Sequence, residues 1–122
     1  MILIAEDNKD VQRAYERILR GHELKIVDDA ADALDLIEAG LRPDLIISDL
    51  EMPLVLGSSF CHAIRQKGLK TPFLLVSGSW GLESLAKDCG ADDWAEKGTI
   101  EAMHKVRAFA ETHDKKTPAT TG

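Results

Sequence analysis

Five side chains stand out for what they do when brought together: the adjacent carboxylates Glu6 and Asp7, the carboxylate Asp49, the hydroxyl of Ser77 and the ammonium of Lys97. Each lies at or just after the end of a short apolar stretch. Three carboxylates in one place repel each other unless a cation lies between them. Oxygen ligands without imidazole or thiolate suit a hard ion such as Mg²⁺, which keeps waters and completes its shell with phosphate oxygens. An ammonium and a hydroxyl opposite the metal hold the remaining oxygens of a transferring phosphoryl group. An aspartate accepts such a group as an acyl phosphate. The set suits a phosphoryl acceptor, provided that the fold assembles it.

The hydrophobic pattern says how it would. Ile2–Ala5, Leu24–Val27, Leu45–Ser48, Pro72–Val76 and, more weakly, Ala91–Ala95 are short apolar runs of the kind that form strands buried on both faces. Between them, apolar residues recur at helical spacing: Val11, Ala14, Tyr15, Ile18 and Leu19; then Ala30, Ala33, Leu34 and Ile37; then Phe60, Cys61 and Ile64. Leu82, Leu85, Ala86 and Cys89 make a short fourth stripe, and Ile100, Met103, Val106 and Ala110 a fifth. Asn8 is placed to cap the first helix, and Gly21, Gly40, Gly68 and Gly90 close the first four. Five strand–helix alternations predict parallel strands, right-handed crossovers and a doubly wound five-stranded sheet with helices on both faces. Ligands of such sheets bind outside the carboxyl ends of the strands. All five reactive residues fall there.

The chain has 122 residues, about one domain, and a formal net charge of −6. That acidic balance opposes non-specific binding to nucleic acid or anionic lipid. No apolar run approaches the ~20 residues of a membrane helix, and no signal-peptide pattern precedes Glu6. Cys61 and Cys89 are too few for a disulfide framework or a four-ligand zinc site, so the expectation is a reduced, cytoplasmic protein. His22, His62, His104 and His113 have no ligand spacing. The packed domain is expected over residues 1–112, with a flexible tail over 113–122.

Taken in order, these pieces resemble the receiver domain of two-component response regulators. The resemblance rests on Glu6-Asp7, on Asp49-Leu50-Glu51-Met52-Pro53, on Gly57, on Val76-Ser77-Gly78, and on the run from Gly90 to Lys97. It implies the flavodoxin-like strand order 2-1-3-4-5. It also implies that Asp49 is the phosphoacceptor, that Glu6, Asp7, Asp49 and the backbone carbonyl of Glu51 hold Mg²⁺, and that Ser77 and Lys97 grip the phosphoryl oxygens. Trp94 stands where the family carries a switch aromatic that responds to the hydroxyl, here Ser77. The implied donor is a phosphohistidine on a sensor histidine kinase or phosphotransfer protein. Output then passes by contact with a downstream protein target, with a homodimer as a further option and with no nucleic-acid or membrane partner. The domain would catalyse its own phosphorylation and dephosphorylation, and would not be an enzyme on other substrates.

Three departures matter. Gly98 follows Lys97 where the family carries proline after a cis peptide, and a cis peptide before glycine is improbable, so a different loop geometry is expected. Trp94 is bulky for a switch aromatic, and Leu54-Val55-Leu56 is an apolar loop where a polar one is usual. Gly98 and Trp94 motivate one alternative, a pseudo-receiver kept as an interaction module without phosphorylation. Glu51, two residues after Asp49, motivates another, a haloacid-dehalogenase-type phosphatase. That family, however, carries its nucleophile after the first strand.

Overall fold

The computed structural model describes residues 1–51, 56–78 and 81–114. Ten elements alternate: β1 (Ile2–Ala5), α1 (Lys9–Ile18), β2 (Leu24–Val27), α2 (Ala30–Glu38), β3 (Leu45–Asp49), α3 (Gly57–Gln66), β4 (Phe73–Ser77), α4 (Leu82–Cys89), β5 (Asp93–Glu96) and α5 (Ile100–His113). All strand pairs are parallel, in the order β2-β1-β3-β4-β5. The doubly wound sheet read from the sequence is the one observed.

The three central strands are buried along their whole length, which explains why they read as unbroken apolar runs. Alternation along each strand divides the core in two. Leu3, Ala5, Ile46, Phe73 and Leu75 face α2, α3 and α4, where Phe60 meets Phe73 edge-on with ring centroids 5.4 Å apart. Ile2, Ile4, Leu45, Ile47, Leu74 and Val76 face Tyr15 and Leu19 of α1 and Ala102, Val106 and Ala110 of α5. Helix starts follow the local chemistry. Asn8 accepts the N–H groups of Asp10 and Val11, Asp29 that of Asp32, and Thr99 that of Ala102. Asn8 rather than Asp7 caps α1, which leaves the Asp7 carboxylate for other work.

Some boundaries move. β4 and β5 each begin and end a residue or two later than the apolar runs, because Ser77 pairs with Glu96 and extends the ladder into polar sequence. α5 continues past residue 112, and Asp114 is buried against His22 Nδ1 at 2.7 Å and the Met1 nitrogen at 2.9 Å. The packed chain therefore extends at least two residues beyond the expected end. Residues 115–122, Leu54, Val55 and Trp80 lie outside the described residues.

Gly57 opens α3 against the end of β3, and its N–H bonds to the Leu50 carbonyl at 2.9 Å. A Cβ there would lie 2.2 Å from the Asp49 carbonyl oxygen, a backbone atom that cannot step aside. Gly57→Ala is expected to lower the unfolding free energy by at least ~2 kcal/mol in urea denaturation. Ser59→Ala, at an exposed position of the same helix, is the control, expected within about 0.5 kcal/mol of the parent.

Candidate metal and phosphoryl site

Register, more than proximity in sequence, builds the site. Ala5 pairs with Ser48, so the next residues on the two strands, Glu6 and Asp49, emerge side by side. Both are buried, at 1% and 3% exposure. Asp7 follows in the exposed turn before α1. One carboxylate oxygen from each of Glu6, Asp7 and Asp49 lies within 4.8 Å of the others.

Lys97 enters from the far side. Its N–H bonds to the Ser77 carbonyl at 2.9 Å, fixing the end of β5 on β4. Its Nζ then reaches across β4 to Asp49 Oδ2 at 2.8 Å and Glu6 Oε1 at 3.2 Å. Asp49 Oδ1 accepts the Glu51 N–H at 3.3 Å, so its two oxygens are held by different groups. Glu6 Oε2 accepts the Asn8 N–H at 3.0 Å. Glu6 Oε1 has an ion-pair contact to Lys97 but no hydrogen-bond partner among the described residues.

Burial is the largest influence on Glu6. With the neighbouring Asp49 charge it raises the pKa above the ordinary value, against the opposing pull of the Asn8 N–H and Lys97. Burial alone would lower Lys97, but the Asp49 hydrogen bond and the charges of Glu6 and Asp49 outweigh it and raise the value. Burial likewise pushes the Tyr15 phenol upward, and the Glu6 and Asp49 charges add to it.

The donor set fits a hard divalent ion. Three carboxylates face one ammonium, leaving two negative charges in excess, and buried Glu6 Oε1 has no hydrogen-bond partner among the described residues beyond its ion pair with Lys97. Glu6, Asp7 and Asp49 would hold the ion. When bound, it would neutralise charge on a transferring phosphoryl group.

Ser77, fully buried at the end of β4, faces the other side of the sheet, where its hydroxyl donates to Glu51 Oε1. Trp94 shares that side, half-buried against the α2–α3–α4 core. It lines an open cavity of about 520 Å³ bounded by Gly78, Leu82 and Lys105. Lys105 was not foreseen. Its Nζ donates to the Trp94 carbonyl at 2.8 Å and to Asp93 Oδ1 at 3.1 Å, and lies 5.6 Å from the indole centroid. Nothing in the sequence marked it, since it only meets Trp94 once α5 packs on β5. The contact of the Glu51 side chain with Ser77 is likewise absent from the sequence reading, which takes Glu51 as a carbonyl ligand or as the second acid of a phosphatase.

The sequence profile of the response regulator receiver domain matches residues 2–107. The chain belongs to the response-regulator receiver family. It is 32% identical over 114 residues to the response regulator MprA of Mycobacterium sp. (strain KMS), covering 88% of this chain and 49% of that protein. It thus spans about half the length of the curated relatives it matches. Among solved structures, a response regulator from Chloroflexus aurantiacus superposes with a TM-score of 0.78 at 27% identity, covering 90% of this chain and 96% of that one. The response regulator TrrA from Thermotoga maritima, solved with Mg²⁺ and beryllofluoride, gives 0.75 at 25% identity, covering 88% and 96%.

The receiver loop after β5 takes a geometry without a cis peptide, as Gly98 leads one to expect. Every described peptide bond is trans, and Gly98 takes φ = +82°, a left-handed conformation. Lys97 reaches both carboxylates nonetheless. The glycine reverses the chain where the family uses proline, so the substitution preserves the aim of the ammonium. Proline cannot adopt a positive φ. Gly98→Pro is therefore expected to destabilise the domain by about 1–3 kcal/mol in urea denaturation. An unchanged or higher stability would show that the loop tolerates a second geometry.

Glu6 yields a pH prediction. Its folded pKa lies above the ordinary 4.5, so the folded state holds the proton more tightly than the unfolded chain does. Its contribution to stability therefore declines as pH rises from about 4.5 through the raised value. A divalent ion competes with that proton. Mg²⁺ affinity, followed by isothermal titration at stepped pH, is expected to fall on acidification while the pH is still above 4.5. An affinity that holds steady down to that pH would contradict the raised value.

Proposed function

We propose that this receiver domain is a phosphoacceptor switch in which Asp49 takes a phosphoryl group from a phosphohistidine, with Mg²⁺ held by Glu6, Asp7 and Asp49 and by the Glu51 carbonyl. The observation that carries the reading is the Lys97 ammonium 2.8 Å from a buried Asp49 carboxylate that also borders a three-carboxylate cluster. An Asp49 oxygen attacks phosphorus, the P–N bond breaks, and its electron pair leaves on the imidazole. Lys97 neutralises a phosphoryl oxygen, and the Ser77 hydroxyl donates to another. Attack by water later breaks the acyl phosphate and returns the Asp49 carboxylate with inorganic phosphate. Trp94 responds when the hydroxyl turns toward the phosphate, and output leaves by protein contact on the face built from α4, β5 and α5. The donor is a sensor histidine kinase or a phosphotransfer protein. No described helix is long and apolar enough to cross a membrane, which supports a cytoplasmic setting.

The relative solved in complex with Mg²⁺ and beryllofluoride supports the choice of metal. The pseudo-receiver alternative loses its main motive, because Gly98 leaves Lys97 on Asp49. The phosphatase alternative places the nucleophile after the first strand, whereas Asp49 closes β3.

Incubation with Mg²⁺ and acetyl phosphate, followed by intact-mass analysis, tests the assignment. The parent is expected to gain one phosphoryl mass, lost on chelation of the metal before reaction. Asp49→Asn is expected to gain none. Equal labelling of that variant would move the acceptor elsewhere.

A further inference from the structure

One contact in the site is unused by the chemistry above. The Ser77 hydroxyl donates its hydrogen to Oε1 of Glu51, 26 residues away in sequence. Ser77 is fully buried, whereas Glu51 is exposed and sits two residues beyond Asp49. The Glu51 N–H meanwhile turns back to Asp49 Oδ1 at 3.3 Å. One residue therefore ties the hydroxyl of β4 to the carboxylate that closes β3.

A serine hydroxyl carries one hydrogen and gives it to one acceptor at a time. A phosphoryl oxygen on Asp49 would need that same hydrogen. We propose that Glu51 is a positioning residue that holds the Ser77 hydroxyl in the unphosphorylated domain and competes with the phosphoryl group for it. The proposal rests on Asp49 being the acceptor. Both acceptors are anionic, so the exchange replaces one charge-assisted bond by another of similar strength. Only the difference between them drives the switch. The Glu51 side chain sets that difference through Ser77, while its N–H stays on Asp49 Oδ1. The bond thereby fixes how much of the phosphorylation energy reaches Trp94, whose strand pairs with β4 two residues before Ser77.

The test uses the full chain carrying Trp80→Phe, so that Trp94 is the remaining one of its two tryptophans. Beryllofluoride is titrated at fixed Mg²⁺ and followed by indole fluorescence, and Mg²⁺ alone is titrated separately. Glu51→Ala is expected to tighten beryllofluoride binding roughly three- to tenfold, measured at saturating Mg²⁺. Glu51→Gln keeps an acceptor oxygen without the charge, and is expected to tighten it less. In a Ser77→Ala background, Glu51→Ala is expected to lose most of that tightening. Equal tightening by Ala and Gln would reduce Glu51 to a repelling charge. Tightening of undiminished size without the Ser77 hydroxyl would overturn the proposal outright.

A metal-free arm separates this proposal from the reading it rests on. In urea, Glu51→Ala is expected to shift the unfolding equilibrium roughly fivefold in the parent and clearly less in Ser77→Ala. Additive effects would remove the contact. If the parent fails to bind beryllofluoride while the urea coupling is present, the phosphoacceptor reading fails and the Glu51–Ser77 bond survives as structure only.

Discussion

An ammonium seated between two buried carboxylates governs the carboxyl edge of this sheet. Glu6 and Asp49 sit on adjacent strands at 1% and 3% exposure, a placement that costs several kcal/mol per ion without a counter-charge. Lys97 supplies it from β5, reaching past β4 to β3 and β1. That reach constrains much else. β5 must end in register with Ser77, which the Lys97 N–H to Ser77 carbonyl bond enforces. The chain must then reverse at once to begin α5, which Gly98 permits by its positive φ. The triad is still short of positive charge, because Asp7 adds a third carboxylate. The fold thus tolerates the cluster without satisfying it, and that residual charge is what makes a divalent ion welcome.

The strand period divides the labour. Glu6, Asp49 and Lys97 leave their strands on the side of α1 and α5, whereas Ser77 and Trp94 belong to the side of α2, α3 and α4. In the proposed switch, a change at the carboxylates would reach the indole across the edge of the sheet, where Ser77 and Glu51 meet, with no long chain of packed residues between them.

This division shows where sequence reading succeeds and where it stops. Ile2–Ala5, Leu45–Ile47 and Phe73–Val76 are buried on both faces, so their composition alone announced central parallel strands. Glu6, Asp7, Asp49 and Ser77 stood out as candidates because polar residues interrupt those runs at equivalent points, and Lys97 because it follows the weaker fifth run. Contacts decided by packing were not legible. Glu51 lies 26 residues from Ser77, and Lys105 is 11 residues from Trp94 on a helix whose rotation is set by Val106 and Ala110. Asp114 looked like the start of a loose tail, yet it is buried against residues 22 and 1. Gly98 was legible as a departure, but its effect was not, since a residue type does not reveal which of two loop geometries delivers a lysine to the same carboxylate.

The indole raises the remaining question of energy scale. A tryptophan in place of a smaller aromatic suggested overpacking in any inward state. The structure instead sets Trp94 beside a cavity of about 520 Å³, so bulk alone does not oppose its movement. What opposes it is Lys105, 5.6 Å from the ring centroid, through an interaction worth about 0.5–1 kcal/mol at such a partly exposed site. Most of the hold of Lys105 is on the Trp94 carbonyl and on Asp93, neither of which depends on the rotamer of the ring. Lys105 therefore anchors the backbone of β5 firmly and the indole weakly. Glu51 biases the opposite end of the same strand pair by a comparable amount. With two small and separable biases instead of one steric lock, the proposed switch would be set by differences of about 1 kcal/mol, each worth roughly fivefold in population.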